Sequence, residues 1–189
     1  QTATLTSVVT GCDSLATLNL FVNPTPDVFF TLSIPEICSG DAVDIALTST
    51  FANTIYSWDI SQTLVSGATA GNGNLINQII NTTTTNPGSV SYIITPILNT
   101  PPTTCIGTPI VVSVVVNPIP TVTATPPTQN IYVGQSATID ALGSPTGGSY
   151  SWDTGDITSS ITVSPPVTTT YVVTYTLNGC SIDTSAIVI

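Results

Sequence analysis

The chain has 189 residues, none of which is Lys, Arg, His or Met, while ten are Asp or Glu, so the formal net charge is −10. About a quarter of the residues of an average soluble protein are charged, with both signs present, so this bias is itself informative. Without imidazole or amine groups there is no ordinary general base, Schiff base or His metal ligand. Without cations, the chain cannot neutralise nucleic-acid phosphates, and an anionic membrane surface repels it. We therefore expect no cofactor and no nucleic-acid partner.

One enzyme class survives this composition, because an aspartic hydrolase needs only two carboxylates that share a cleft. Its Asp-Thr-Gly motif occurs once, at Asp153–Gly155. A single copy in a chain built from small domains offers neither the pair nor the cleft, so we expect no enzyme.

The remaining composition favours an exported all-β protein. Hydrophobic residues make up 41% of the chain, and 15 Pro and 13 Gly interrupt them, a pattern typical of short strands and turns. Four Cys without Cys-x-x-Cys spacing favour disulfides in an oxidising compartment over a zinc site. The longest apolar run, Ile110–Val116, is too short to cross a bilayer. We expect an extracellular cell-surface location without membrane insertion and, since Met and a signal peptide are lacking, a segment of a longer protein.

Taken in chain order, alternating apolar residues predict strands separated by Gly, Pro and Asn turns. After an aliphatic strand at 15–22, the stripes are Val43/Ile45/Leu47, Tyr56/Trp58/Ile60, Val90/Tyr92/Ile94, Ile110/Val112/Val114/Val116, Ala137/Ile139, Tyr150/Trp152, Tyr171/Val173/Tyr175 and a terminal strand. The stretch 67–74 reads as a Gly-rich turn. About seven short strands with a Trp on the third strand, occurring twice, predict immunoglobulin-like β-sandwiches.

An internal repeat divides the chain. The sequence Val-Asn-Pro-Thr-Pro at Val22–Pro26 returns as Val-Asn-Pro-Ile-Pro at Val116–Pro120, and two closely spaced prolines hold a chain extended. We call these segments the first and second joints. They predict three parts: residues 1–24 as the C-terminal strands of an upstream domain, 25–118 as a complete sandwich, and 119–189 as another. Gly11-Cys12 and Gly179-Cys180 both resemble the last turn of a domain.

Two sets of residues resemble a known family. Tyr150–Asp156 (Tyr-Ser-Trp-Asp-Thr-Gly-Asp) is similar to the Trp-x-Phe-Gly-Asp-Gly signature of PKD domains, with Thr154 in place of Phe and Ile157 in place of the last Gly. Over nearly the whole chain, Ile37–Gly40, the Trp strand, the late Cys105 and the Asn-Pro-x-Pro joints resemble PKD-like repeats of giant bacterial surface proteins exported by the type IX route, of which gliding-motility adhesins are best known. The resemblance implies tandem immunoglobulin/PKD-like β-sandwiches joined by Asn-Pro-x-Pro linkers, without catalytic residues.

This alignment predicts the state of each cysteine. Cys38 and Cys105 fall within one repeat and are expected to form a disulfide, and Cys12 is expected to pair with a cysteine upstream of residue 1. Cys180 finds Tyr132 at its expected partner position, which leaves a free thiol, favoured here, or an intermolecular link. A bond from Cys38 to Cys12 or Cys180 would instead overturn the repeat alignment, on which the domain boundaries rest.

Several other residues have two readings each. Asp153, Asp156 and Asp140 could supply oxygens to calcium, but their spacing lacks the density of a calcium loop and favours turn capping, so no metal is expected. Trp58 and Trp152 could stack on a sugar, although their apolar neighbours favour a core position. Asn81-Thr82-Thr83 matches an N-glycosylation sequon, and Ser14, in Asp13-Ser14-Leu15, matches an O-glycosylation pattern of bacteria that use the type IX route.

The sequence thus predicts a structural repeat segment of an extracellular filament or adhesin stalk on a bacterial surface. Its partners would be adjacent repeats of the same polypeptide or filament, with surface glycans or the substratum as further candidates. The alternative is a glycan- or calcium-dependent binding module of a secreted protein, which would expose Trp58 or Trp152 on a concave surface.

Overall fold

A computed structural model of the chain describes residues 2–6, 15–19, 22–100 and 103–189. Within these ranges the regular elements are strands, and no helix is long and apolar enough to span a membrane. In chain order the strands are β1 (Thr2–Thr6), β2 (Leu15–Asn19), β3 (Phe29–Leu32), β4 (Glu36–Cys38), β5 (Ala42–Thr48), β6 (Thr54–Thr63), β7 (Val65–Ser66), β8 (Gly71–Asn72), β9 (Leu75–Ile79), β10 (Asn81–Thr82), β11 (Gly88–Thr100), β12 (Thr103–Ile106), β13 (Ile110–Asn117), β14 (Thr121–Thr125), β15 (Thr128–Gln129), β16 (Ala137–Ser144), β17 (Ser149–Trp152), β18 (Ser160–Val163), β19 (Thr169–Leu177) and β20 (Cys180–Val188).

The strands after the first joint form two sandwiches with the same plan. In the first sandwich, sheet β4-β13-β11-β6-β8 faces sheet β3-β5-β9, and β12 pairs with β11. In the second, sheet β15-β20-β19-β17 faces sheet β14-β16-β18. A short strand runs parallel to the last strand in both, β4 beside β13 and β15 beside β20. The predicted all-β sandwich fold is confirmed. Strands β1 and β2 form a separate antiparallel pair.

Each sandwich has its own hydrophobic core, filled by the inward residues of alternating strands. The cores lie within residues 37–116 and 124–188. Strand β5 shows the period of two, because Val43, Ile45 and Leu47 are buried and the residues between them are exposed. Tyr92 is fully buried and donates from its hydroxyl to Gln78 Oε1 at 3.0 Å, and burial raises its pKa to about 12.

The stretch expected to be only a Gly-rich turn, 67–74, contains strand β8, which pairs with the Trp strand. A side chain at Gly71 would collide with the indole of Trp58, so the glycine lets the backbone lie flat on the ring. Sequence periodicity gives no signal for so short a strand without alternating residues.

A tyrosine pair shapes the end of the second sandwich that faces the second joint. The rings of Tyr150 and Tyr175 lie 4.9 Å apart, and the Tyr175 hydroxyl donates to Pro145 O and accepts from Gly148 N. A Cβ at Gly143 would overlap the Tyr175 ring. Glycine at 143 is therefore what allows the ring to sit against strand β16.

We predict that Gly143→Ala destabilises the second sandwich by about 1–3 kcal/mol, the usual cost of overpacking a filled site. Leu142→Ala is the matched control, because Leu142 lies next along β16 with 68% of its surface exposed and its truncation should change stability by less than about 0.5 kcal/mol. Denaturant unfolding of the two variants checks this. Equal stability losses would mean that the tyrosine does not fill the space over Gly143.

Candidate functional site: the junction between the sandwiches

A disulfide connects the two sandwiches. It joins Cys38 to Cys180, which are 142 residues apart in sequence and have Cα atoms 5.6 Å apart. Cys38 is the last residue of β4, an edge strand of the first sandwich, and lies beside Asn117 at the C-terminal end of β13. Cys180 opens β20, directly after the tight turn of the last hairpin of the second sandwich. The bond therefore crosses the second joint.

Hydrogen bonds pack the same place. Asn117, the Asn of the second joint, is 3% exposed and donates from its side-chain nitrogen to the carbonyl of Asn178 at 3.2 Å. Its own carbonyl accepts from the Ser39 N–H at 2.8 Å. Asn178 and Gly179 both have positive φ, at 50° and 79°, as a two-residue hairpin turn requires. We call this group, Cys38, Asn117, Asn178 and Cys180, the junction.

The expected Cys38–Cys105 bond is wrong, and the reason is distance. Cys38 lies at the level of Asn117, where β13 ends, whereas Cys105 pairs with Leu98 near the opposite end of β11. About ten residues of β11 separate the two levels, on the order of 30 Å at roughly 3.3 Å per residue. A disulfide requires Cα atoms within about 7 Å.

The expected free thiol at Cys180 is also wrong, because its partner belongs to the preceding sandwich rather than to its own. The free cysteine among the described residues is Cys105, which is partly buried. A bond between Cys38 and Cys180 was the result that would contradict the repeat alignment. The step that fails is the assumption that both cysteines of a pair belong to one repeat, since the two sandwiches do share strand order. Cys12 lies outside the described residues.

Asp27, the residue after the first joint, ties that joint to the first sandwich. Its carboxylate accepts from Ser49 Oγ at 2.5 Å, and from the backbone N–H and hydroxyl of Thr50 at 2.9 and 2.6 Å. The hydrogen bond from Ser49, followed by that from Thr50, lowers the pKa of Asp27 below its usual 3.8. In the second sandwich, Thr121 occupies the corresponding position after the second joint and donates to Ser144 O at 3.4 Å.

The three carboxylates considered for calcium, those of Asp153, Asp156 and Asp140, are exposed. Asp156 Oδ2 accepts from Thr154 Oγ1 at 2.8 Å, and the backbone of Trp152–Asp156 closes a turn through Trp152 N to Asp156 O. Asp140 lies in strand β16, paired with Ser160. In the described part of the chain, no three His, Cys, Asp or Glu side chains gather as metal ligands would. Capping of backbone N–H groups by these carboxylates stays a prediction.

Both tryptophans lie inside the sandwiches. Trp58 is 7% exposed and donates from Nε1 to Thr69 O, and Trp152 is 3% exposed and donates from Nε1 to Thr158 O. A groove of about 530 Å³ crosses the first sandwich, lined by Thr54, Ile55, Tyr56, Ser57, Asn72, Gly73, Asn74 and Ile97. Its one aromatic side chain, Tyr56, is buried, so the groove offers no exposed ring for a sugar.

Of the two glycosylation candidates, Asn81 and Ser14, the structure describes only Asn81. Asn81 is exposed at the start of β10, where an oligosaccharide would project into solvent. Ser14 lies outside the described residues. Modification at either site stays a prediction.

Comparison with known proteins finds one matching family model and several solved structures of low similarity. Residues 35–120 match the PKD-like domain family. Among solved structures, the four N-terminal Ig domains of Dscam1 isoform 1.9 are 12% identical with a TM-score of 0.35, covering 81% of this chain and 42% of that one. Three N-terminal domains of the Hoc outer capsid protein of bacteriophage RB49 are 15% identical with a TM-score of 0.39, covering 87% and 59%. This chain thus spans about half the length of these structures. No curated protein sequence matches it.

We predict that the double variant Cys38→Ser/Cys180→Ser keeps both cores but loosens the junction, because the second joint and the hydrogen bond from Asn117 to Asn178 then replace a covalent cross-link. Small-angle scattering should show a broader distribution of interatomic distances than the oxidised parent gives. Cys105→Ser is the matched control and should scatter like the parent. An unchanged profile for the double variant would show that the disulfide does not set the arrangement.

We predict that the first sandwich loses stability in acid partly through Asp27. The folded pKa lies below 3.8, so the stabilisation is complete above the unfolded pKa and disappears as the pH falls through the folded value. Asp27→Asn should flatten the pH dependence of the melting temperature below about pH 4. Asp153→Asn, an exposed carboxylate without these partners, is the control. Parallel curves for parent and Asp27→Asn would contradict the assignment.

Proposed function

We propose that this chain is a structural segment of an extracellular filament or adhesin stalk on a bacterial surface, of the kind to which gliding-motility adhesins belong. In this proposal residues 1–24 complete an upstream domain, 25–118 and 119–189 are two successive repeats, and the partners are neighbouring repeats. The observation that carries the proposal is the disulfide across the junction, because it changes how the chain transmits a pull.

A pull on the two ends reaches Cys38 from one side and Cys180 from the other. Strands β3, β4 and β20 lie on that path and bear load through their pairing with β5, β13, β19 and β15. Between the two cysteines the disulfide carries the load, and residues 39–179 remain slack. Without the bond, the same pull would load both cores in series. A covalent bypass of this kind suits a stalk, which is pulled along its length, and has no evident use in a binding module.

The chemistry of the surface supports the same function. The chain has no Lys, Arg or His, so a general base or an activated nucleophile would have to come from its few carboxylates. The tryptophans that a lectin-like module would expose are buried instead. The PKD-like match and the disulfide are features of the kind found in secreted or surface proteins.

The test is to stretch single chains between tags at their two ends. In the oxidised chain, the segment between the bonded cysteines, which are 142 residues apart, should not contribute to the stretched length. At about 3.5 Å per extended residue, reduction should lengthen the fully stretched chain by about 500 Å. Cys105→Ser should show the same gain, and Cys38→Ser/Cys180→Ser should have the long form without reductant.

Equal lengths with and without reductant would remove the basis of the proposal. A second arm addresses the rival function, because micromolar binding to any member of a glycan panel, abolished by a change in the groove such as Asn74→Ala, would favour a binding module.

A further inference from the structure

We propose that Cys105 is the cross-linking sulfur of the first joint. It would bond to a cysteine at the end of an edge strand in a preceding sandwich, as Cys180 bonds to Cys38. The inference rests on the proposed function, since it requires a preceding repeat, and it extends one cross-link into a ladder of disulfides along the array.

The strand register makes Cys105 and Cys180 equivalent. In the first sandwich Trp58 pairs with Ile94 on β11, and Leu98, four residues later, pairs with Cys105. In the second sandwich Trp152 pairs with Val173 on β19, and Leu177, again four residues later, pairs with Cys180. The two cysteines therefore occupy the same position of the same hairpin.

The path of the chain supports the equivalence. The end of the second sandwich that carries Cys180 faces the second joint, where Asn178 contacts Asn117. The end of the first sandwich that carries Cys105 faces the first joint, because a Cβ at Gly107, two residues after Cys105, would collide with the carbonyl of Pro26. Pro26 and its counterpart Pro120 are both buried. The incoming chain thus enters each sandwich beside the hairpin that bears the cysteine.

The surface beside Cys105 is apolar where its counterpart is polar. Ile55, Ile97 and Ile106 pair in a row across β6, β11 and β12, with Ile55 and Ile106 exposed by 52% and 68%. The equivalent row in the second sandwich is Ser149, Thr176 and Ser181, in which the last two share a hydrogen bond. Ser149 and Ser181 stay exposed beside the formed Cys38–Cys180 bond, so a repeat docked in the same way at Cys105 would reach the cysteine without covering these isoleucines.

The geometry of Cys38 defines the partner. Its N–H donates to the Asp41 carboxylate at 3.0 Å, and its carbonyl accepts from Asp41 N, in a turn at the end of the edge strand. The second sandwich builds the same turn with Tyr132 and Gln135. Tyr132 has no sulfur, so this turn cannot accept the next cysteine, and the ladder depends on which residue each repeat places there.

Bond formation is an ordinary oxidation. The two thiols lose two protons and two electrons and form one sulfur–sulfur bond, while an exchanging disulfide, such as oxidised glutathione, is reduced to two thiols.

The test uses a chain with one added repeat, residues 1–117 followed directly by 24–189, which preserves the Asn-Pro-x-Pro joint. Cys105 of the second copy then faces Cys38 of the first. After refolding with oxidised and reduced glutathione, free thiols are alkylated, and the chain is digested with pepsin in acid, where disulfides do not exchange.

We expect one new linked peptide, which joins Cys38 of the first copy to Cys105 of the second, together with the Cys38–Cys180 bond at the following joint. Cys105→Ser in the second copy should abolish only the new link, whereas Cys105→Ser in the first copy should leave it unchanged. Alkylated Cys105 in the second copy would overturn the inference, as would its bonding to Cys12.

The same mapping on the protein taken from its native surface is independent of the engineered joint. Cys105 should resist alkylation before reduction and be recovered on a peptide from a preceding repeat. A free Cys105 there overturns the ladder but leaves the stalk intact if reduction still lengthens the 189-residue chain. Equal stretched lengths with and without reductant would instead contradict the proposed stalk function.

Discussion

The Cys38–Cys180 bond is the constraint on which the arrangement of the two sandwiches depends. Small domains joined by short linkers move relative to one another unless a large apolar interface or a covalent link prevents it. Here both modules are acidic, with a net charge of −10 over the chain and no Lys or Arg, so no salt bridge can form between side chains across a joint and neighbouring repeats repel each other. A disulfide is insensitive to that repulsion and to salt, and it closes the joint where hydrogen bonds from Asn117 alone would be weak.

The location of the bond also separates two mechanical roles. The cores of both sandwiches are built from Val, Ile, Leu and aromatic residues, and they supply the folding free energy. The junction adds a covalent bond and a hydrogen bond between the sandwiches, and in the proposed stalk it would set the path along which tension travels. Because Cys38 and Cys180 each terminate a strand next to the joint, the bond links the sandwiches over 5.6 Å between Cα atoms without entering either core. Stiffness along the array and stability of each fold can therefore vary independently.

The period-two pattern of apolar residues predicted both sandwiches, but it gave no information on the disulfide that connects them. Alternation in β5 and the Trp strands gave the fold because the period of two is a direct consequence of one face being buried. The turn positions of Asp153 and Asp156 also followed from local chemistry. The cysteine pairing did not, because sequence repeats compare equivalent positions whereas a bond across a joint connects non-equivalent ones. Topology contained the missing signal, since Cys38 ends β4 beside the C-terminal end of β13, and Cys180 is the first residue of β20, the last strand of the second sandwich.

The cross-link at the second joint depends on two residues, Cys38 in the turn after the edge strand and Cys180 in the last hairpin of the second sandwich. In the first sandwich the turn after the edge strand holds Cys38, and the following sandwich is cross-linked to it. In the second sandwich the corresponding turn holds Tyr132, which is 82% exposed beside Val133 at 87%. Both turns use the same pair of hydrogen bonds to a residue three positions later, so exchanging Cys for Tyr leaves the backbone unchanged. In the proposed array, a joint would be cross-linked only where one repeat has Cys in this turn and the next repeat has Cys in its last hairpin, and both positions lie outside the hydrophobic core clusters.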